Sequence, residues 1–284
     1  MTIQRFEMEG LAQYSYVVSD GGKAVVIDAA RDIGVYVRYA AEHQLVITHV
    51  VETHIHADFS AGSKALAEAT GAELALSGHD EGETYQYAMP HRRLMHGDTI
   101  QVGTARLKAW HTPGHTPEHL SYLLFDSTQS ETVPVAMFSG DFLFVGSLGR
   151  PDLLGEGEME RLLGMLYKSV QERLRDLPAS LKIYPGHGAG SLCGANLSKE
   201  PESTLGYERE TNTLLSLPEA EFLARVVETL PPLPSYYPRM KRLNSVGAEG
   251  FAVLPGGSAL SVEEVRALRD AADVTLVDLR SAEK

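Results

Sequence analysis

The stretch Thr53-His54-Ile55-His56-Ala57-Asp58-Phe59 sets two imidazoles and a carboxylate at alternate positions. In an extended loop, residues two apart project to the same side, so His54, His56 and Asp58 can converge on one point. Imidazole nitrogen and carboxylate oxygen together suit zinc, iron(II) or manganese. Further along, three more ligand-capable residues stand where apolar runs stop: His115 in "HTPGHTPEHL", Asp141 closing "VAMFSGD", and His187 in "YPGHGAG". Such residues at separate strand ends point to one metal centre rather than to polar turns that only cap helices. His43, His49, His79, His91 and His96 lack this setting and read as surface or packed histidines. His111 and His119 flank the His115 loop and read as hydrogen-bonding scaffold. Cys193 is the single cysteine, which excludes an internal disulfide and a thiolate cage.

These residues need elements to hold them. "SYVVSD", Gly21-Gly22 and "KAVVIDAA" read as a hairpin, followed by a helix over Arg31 to His43. "LVITHVVET" reads as a buried strand and "AGSKALAEAT" as a helix, so the first ligand stretch is a strand-to-helix loop. Strands are expected at "AELALS", "DTIQVG", "ARLKAWHT", "LSYLLF", "VPVAMFSGD" and "SLKIYPG", with a helix over Gly157 to Leu174. The pattern predicts an α+β fold in which helices cover the outer faces of sheets. "TLPPLPSYYPRM" carries four prolines in twelve residues and reads as irregular. The expected division is a catalytic domain over 1–230, a Pro-rich linker over 231–245 and a segment over 246–284. In that last segment a helix is capped near Ser261 and leads to a strand, "VTLVDLR". It is too short to bury a core of its own.

With 43% hydrophobic and 22% charged residues among 284, the composition is that of a water-soluble globular chain. No apolar run has the length of a membrane span, and the first twenty residues lack a signal-peptide pattern, which sets a cytoplasmic expectation. A formal charge of −13 disfavours nucleic acid and anionic membrane as partners. A small-molecule substrate is expected.

The motifs "THIHAD", "HTPGHTPEH", "SGD" and "PGHG", in this order between residues 53 and 188, resemble those of the metallo-β-lactamase superfamily. The resemblance implies an αββα sandwich with metal at its edge. In the family's binuclear hydrolases a histidine follows the aspartate directly, whereas here that position is Phe59. A phenyl ring has no lone pair to give a second cation, so one metal is the physical reading. The ring also makes the wall apolar, which suits keeping water away from a reactive intermediate.

The branch this most resembles is the persulfide dioxygenases, in particular those fused to rhodanese domains. That resemblance implies one iron(II) per chain held by His54, His115 and Asp141, with zinc as the alternative metal. His56, Asp58 and His187 would then stand behind the ligands and orient them. Arg150, in "FVGSLGRPDLLG", would lie at the rim of a substrate channel and grip the carboxylate of a thiol carrier. Cys193 is a candidate sulfur relay. The family's short Asp-Tyr pair after the late histidine is replaced by Gly188 and Ala189, which leaves the source of a nearby phenol open.

The segment over 246–284 resembles the opening of a rhodanese domain, a partner in cis if the chain continues. The implied substrates are a low-molecular-weight thiol persulfide and O2, the products sulfite and thiol, and the resemblance leaves room for a homo-oligomer. Two rival functions remain. One is a metal-dependent thioester hydrolase of the glyoxalase II kind, or a lactonase. The other is a non-enzymatic module that docks a sulfur carrier.

Overall fold

Tyr14, Tyr16 and Val18 pack into one apolar cluster and Val17 into another, so the strand that carries them is covered on both faces. The computed structural model describes residues 1–249, 260–269, 274, 275 and 277. Six strands form the first sheet in sequential order: β1 (Thr2–Met8), β2 (Gln13–Asp20), β3 (Lys23–Ile27), β4 (Val46–Val51), β5 (Glu73–Ser77) and β6 (Arg92–Leu94). The first three are antiparallel, and β3 through β6 run parallel.

The chain then builds a second sheet from β7 (Thr99–Val102), β8 (Ala105–His111), β9 (Leu120–Asp126) and β10 (Ala136–Gly140). A two-stranded ribbon, β11 (Leu143–Phe144) and β12 (Ser147–Leu148), precedes β13 (Lys182–Pro185) and β14 (Ser203–Thr204). The second sheet has the order β14-β13-β10-β9-β8-β7, and within it β10 and β13 are parallel.

Val25, Ile27 and Val51 of the first sheet share a core with Leu107, Tyr122, Leu124 and Phe138 of the second, so the sheets lie face to face. The outer face of the first is covered by α1 (Gly34–Glu42) and α2 (Ser63–Thr70), through Tyr36 and Leu66. On the second, α3 (Glu156–Arg173) and α5 (Glu219–Glu228) bring Leu166, Val170, Phe222 and Val226 onto Leu123 and Met137, with α4 (Leu205–Thr211) beside them. The αββα sandwich expected from the motifs is the fold. Three edge strands, β1, the three-residue β6 and the two-residue β14, and the ribbon of β11 and β12 were not among the expected elements.

The segment expected to be a linker is corrected. Residues 237–246 form a helix, α6 (Tyr237–Val246), within the compact unit Met1–Gly250. Pro238 sits in its first turn, where a missing N–H costs no intrahelical bond. Pro231, Pro232 and Pro234 precede the helix and do not interrupt it. The second unit, Phe251–Lys284, contains α7 (Val262–Arg269). Ser261 caps it as expected: its Oγ accepts from Glu264 N–H at 3.2 Å, and Glu264 Oε2 accepts from Ser261 N–H at 2.7 Å. Of the strand expected at "VTLVDLR", only Val274, Thr275 and Val277 are described, none of them in a strand, and most of the rhodanese-like reading of 246–284 lies outside the described residues. Among the described residues no helix is long and apolar enough to cross a membrane.

Candidate metal centre

Parallel pairing delivers the site. Ile27 pairs with Val51, so Asp28 and Glu52 leave β3 and β4 side by side, with the ligand loop starting at the next residue. In the other sheet Gly140 pairs with Pro185, which sends Asp141 and His187 out of the same end. Leu120 N–H donates to the Thr53 carbonyl at 2.7 Å and ties the two sheet ends together, so the loop of His115 arches over the same spot. The glycines of "SGD" and "PGHG" have a steric cause. Gly140 has φ +52°, and a Cβ there would meet Thr53 Oγ1 and His119 Nε2 at 2.7 Å. A Cβ on Gly186 would lie 2.6 Å from Asp141 Oδ1.

Hydrogen bonds around the loop decide which nitrogens are bare. Asp28 accepts from Thr53 N–H at 2.7 Å and from the Thr53 hydroxyl at 2.9 Å. With its proton committed to Asp28, Thr53 Oγ1 is left to accept, and His54 Nδ1–H donates to it at 2.9 Å. The lone pair of His54 therefore sits on Nε2. His115 Nδ1 lies 2.9 Å from the carbonyl of Arg150, which can only accept, so its lone pair is also on Nε2. Burial first, and neighbouring imidazoles second, hold both rings well below the ordinary histidine value, hence neutral.

Opposite these nitrogens stands Asp141 Oδ2, which has no hydrogen-bond partner. His115 Nε2, likewise without a partner, is 3.4 Å from it, and His54 Nε2 is 3.8 Å away. All three ligand atoms lie within 4.8 Å of one another and are buried. Three bare acceptors facing each other repel unless a cation sits among them, and the donor set fits one.

The residues expected behind these ligands are there, doing different work. His187 donates from Nδ1 to Asp141 Oδ1 and from Nε2 to Asp58 Oδ2, both at 2.8 Å. Burial opposes its charge, but the two carboxylates outweigh burial and raise it well above the usual histidine range. Both of its nitrogens are thus engaged by carboxylates, and His187, Asp58 and Cys193 bring ligand atoms within 4.8 Å of one another. His56 donates from Nε2 to Asp28 at 3.0 Å and leaves Nδ1 without a partner. Phe59 is buried with its ring 4.5 Å from that of His56 and 6.5 Å from that of His187. Cys193 is buried beside them, its Sγ grouped with Asp58 and His187 and 3.9 Å from the Tyr237 hydroxyl. Burial pushes its thiol well above the ordinary value. His119 serves as scaffold, bonded to Thr112 Oγ1 at 2.9 Å and accepting from Asp141 N–H at 3.1 Å. His111 does the same on the Pro117 carbonyl at 2.8 Å.

Arg150 is not on the rim. It is 1% exposed. Its guanidinium is spent on Asp152 at 2.6 and 2.8 Å and on the carbonyls of Leu192 and Pro231 at 2.9 and 2.8 Å. The fork therefore grips backbone that a short side chain would leave unpaired. Its own carbonyl orients His115. Arg150→Ala is thus expected to lower stability by about 3 kcal/mol, the lower end for breaking a buried ion pair, and to reduce metal content. Thermal melting and elemental analysis check this. A fully stable variant with only a weakened apparent substrate affinity would restore the rim position.

Sequence reasoning overlooked Asp28, whose signal was an acidic residue closing the strand parallel to the ligand strand. It also overlooked Glu118, whose Oε1 accepts from Ile55 N–H at 2.9 Å inside the ligand loop.

The sequence profile of the Metallo-beta-lactamase superfamily matches residues 8–187. A hydroxyacylglutathione hydrolase of Polaromonas sp. is 33% identical, over 66% of this chain and 74% of the relative. The mitochondrial persulfide dioxygenase ETHE1 of Bos taurus is 30% identical, over 78% of each chain. The crystal structure of a metallo-beta-lactamase from Staphylococcus aureus subsp. aureus COL superposes with a TM-score of 0.82 at 40% identity, over 88% of this chain and 73% of that one.

Proposed function

The chain belongs to the metallo-beta-lactamase superfamily, and on that premise we propose that it is an iron-dependent dioxygenase acting on a low-molecular-weight thiol persulfide. The overall change would be RSSH + O2 + H2O → RSH + SO3²⁻ + 2H⁺, with two oxygen atoms of the sulfite from O2 and one from water. Held by His54, His115 and Asp141, iron(II) would relay electrons from a sulfur anion to O2, the outer sulfur supplying all four overall.

The observation that carries this reading is the condition of the neighbouring position. Phe59 offers no ligand atom there, and both His187 nitrogens are occupied by carboxylates. A hydrolase with two metals needs one of those nitrogens free to hold a second ion and its hydroxide. The residues around the site instead exclude water and fix geometry. Phe59 supplies an apolar face against His56, and Ala57, Leu153 and Tyr237 form a buried apolar cluster. Asp28 and Thr53 hold His54 in the tautomer that presents Nε2. His187 keeps Asp141 oriented by engaging only its Oδ1. Tyr237 provides a phenol near the site from α6, in place of the tyrosine that the family carries after the late histidine.

A second reading, thioester hydrolysis on zinc, has support in the similarity to hydroxyacylglutathione hydrolases. One experiment separates them. Protein purified without oxygen and reconstituted with iron(II) is expected to hold one iron per chain and to consume O2 only when a thiol persulfide is present, releasing sulfite. Brisk thioester hydrolysis by the zinc form, with no oxygen uptake on any persulfide, would replace this reading with the second.

A further inference from the structure

The ligand loop is gripped from outside by a helix that carries no ligand. Lys241 of α6 donates from Nζ to the carbonyl of Ile55 at 2.7 Å, between His54 and His56. Glu118 holds the N–H of the same residue, so Ile55 is clamped on both sides. One turn on, Asn244 donates from Nδ2 to the carbonyls of His56 at 2.9 Å and Phe59 at 2.7 Å, and its Oδ1 accepts from Ala61 N–H at 2.9 Å. Two side chains thereby make four bonds to the segment 55–61, which contains every turn between the first ligand and α2.

Lys241 is the less expected of the two. It is buried, and among the described residues no carboxylate lies within ion-pairing distance of Nζ. Burying an ammonium is costly, and a helix that only packed here would use an apolar side chain of that length. The cost is offset by the carbonyl bond, by the Tyr85 ring 5.4 Å from Nζ, and by the field of Glu118, Asp141 and Asp58, which opposes the lowering of its pKa by burial.

We propose that Lys241 and Asn244 are positioning residues of the metal centre: α6 holds the 54–61 loop so that His54 Nε2 faces His115 and Asp141, and metal affinity depends on that grip. The idea rests on the metal centre of the proposed function but not on its oxygen chemistry. The probe is therefore cobalt(II), titrated into the whole metal-free chain against a chromophoric chelator, with the ligand-field spectrum recorded at saturation. Lys241→Met keeps the stem and removes the donor, and Asn244→Ser admits water to the groups it strands.

Both variants are expected to bind cobalt about 10- to 100-fold more weakly, as loss of outer hydrogen-bond partners does, and to show an altered spectrum. Arg242→Ala, on the exposed side of α6, is expected to match the unchanged protein. Should Lys241→Met fail to fold, Asn244→Ser decides alone. Folded variants with unchanged affinity and spectrum, or an equal loss in Arg242→Ala, would overturn the proposal. Cobalt binding needs neither persulfide nor O2, so a failed dioxygenase assay leaves this outcome separate.

Discussion

Asp141→Ala is expected to lose nearly all bound metal and all persulfide-dependent oxygen uptake. Two effects add. Among the described residues, the variant removes the only carboxylate oxygen within 4 Å of His54 Nε2 and His115 Nε2. It also strips the His187 imidazolium of one of its two counter-charges, inside a site where neither group is solvated. Leaving a buried ion with half its partners costs about 3–5 kcal/mol, so the variant should melt earlier as well as bind poorly. Elemental analysis after reconstitution and a thermal melt measure the two effects independently. The loss of metal should exceed the about 10- to 100-fold drop caused by removing a group that merely supports a ligand. Alanine at His54 or His115 should share the metal loss, whereas alanine at His56 should affect activity more than occupancy. Retention of a full metal complement by Asp141→Ala would remove this residue from the ligand set.

Phe59→His is the second large effect, and here the expected direction is a gain of metal and a loss of function. Asp58 Oδ1 has no hydrogen-bond partner, and Asp58, His187 and Cys193 already bring ligand atoms within 4.8 Å of one another. An imidazole at position 59 would add the nitrogen that this group lacks, provided that His187 releases a proton. Metal stoichiometry should then rise above one. A second cation would compete for Asp141 Oδ1 and carry water into an apolar wall, so oxygen uptake should fall and a trace of thioester hydrolysis should appear. Phe59→Leu, which keeps the wall apolar, should hold one metal and most of the uptake. If Phe59→His instead keeps one metal and full activity, the ring is packing and nothing more.

Much of the centre was legible because its chemistry is local. Each ligand lies within four residues of the end of a strand, and Gly140 and Gly186 stand where a Cβ would collide with the site. The sandwich was legible through its motif order and the buried strands on both sheets. What escaped has a common physical cause: partners distant in sequence. Arg150 looks like a surface fork until its acceptors, carbonyls 42 and 81 residues away, are known. Asp28 closes "VVIDAA" as an acidic residue, but only the parallel pairing of β3 with β4 brings it to a loop 25 residues on. The proline-rich stretch reads as irregular because proline breaks helix interiors, yet Pro238 falls in a first turn, where it is compatible with a helix. The strands β1 and β6 are edges in which, Leu94 apart, every residue is half-exposed or exposed, so their apolar alternation is faint.

The reach of α6 back to the ligand loop also orders events in time. Ile55 leaves the ribosome 186 residues before Lys241, and Phe59 185 residues before Asn244. At ordinary translation speeds that interval is roughly 10–40 s, long compared with the collapse of a sheet. During it the first histidine pair exists as an unclamped loop, and two of the ligands, His115 and Asp141, emerge before the clamp does. A nascent chain would therefore offer cellular metals a loose site with little power to discriminate. On the role proposed for α6, the gripped geometry is complete only after the helix has docked, so tight metal binding is expected to follow synthesis of residue 244.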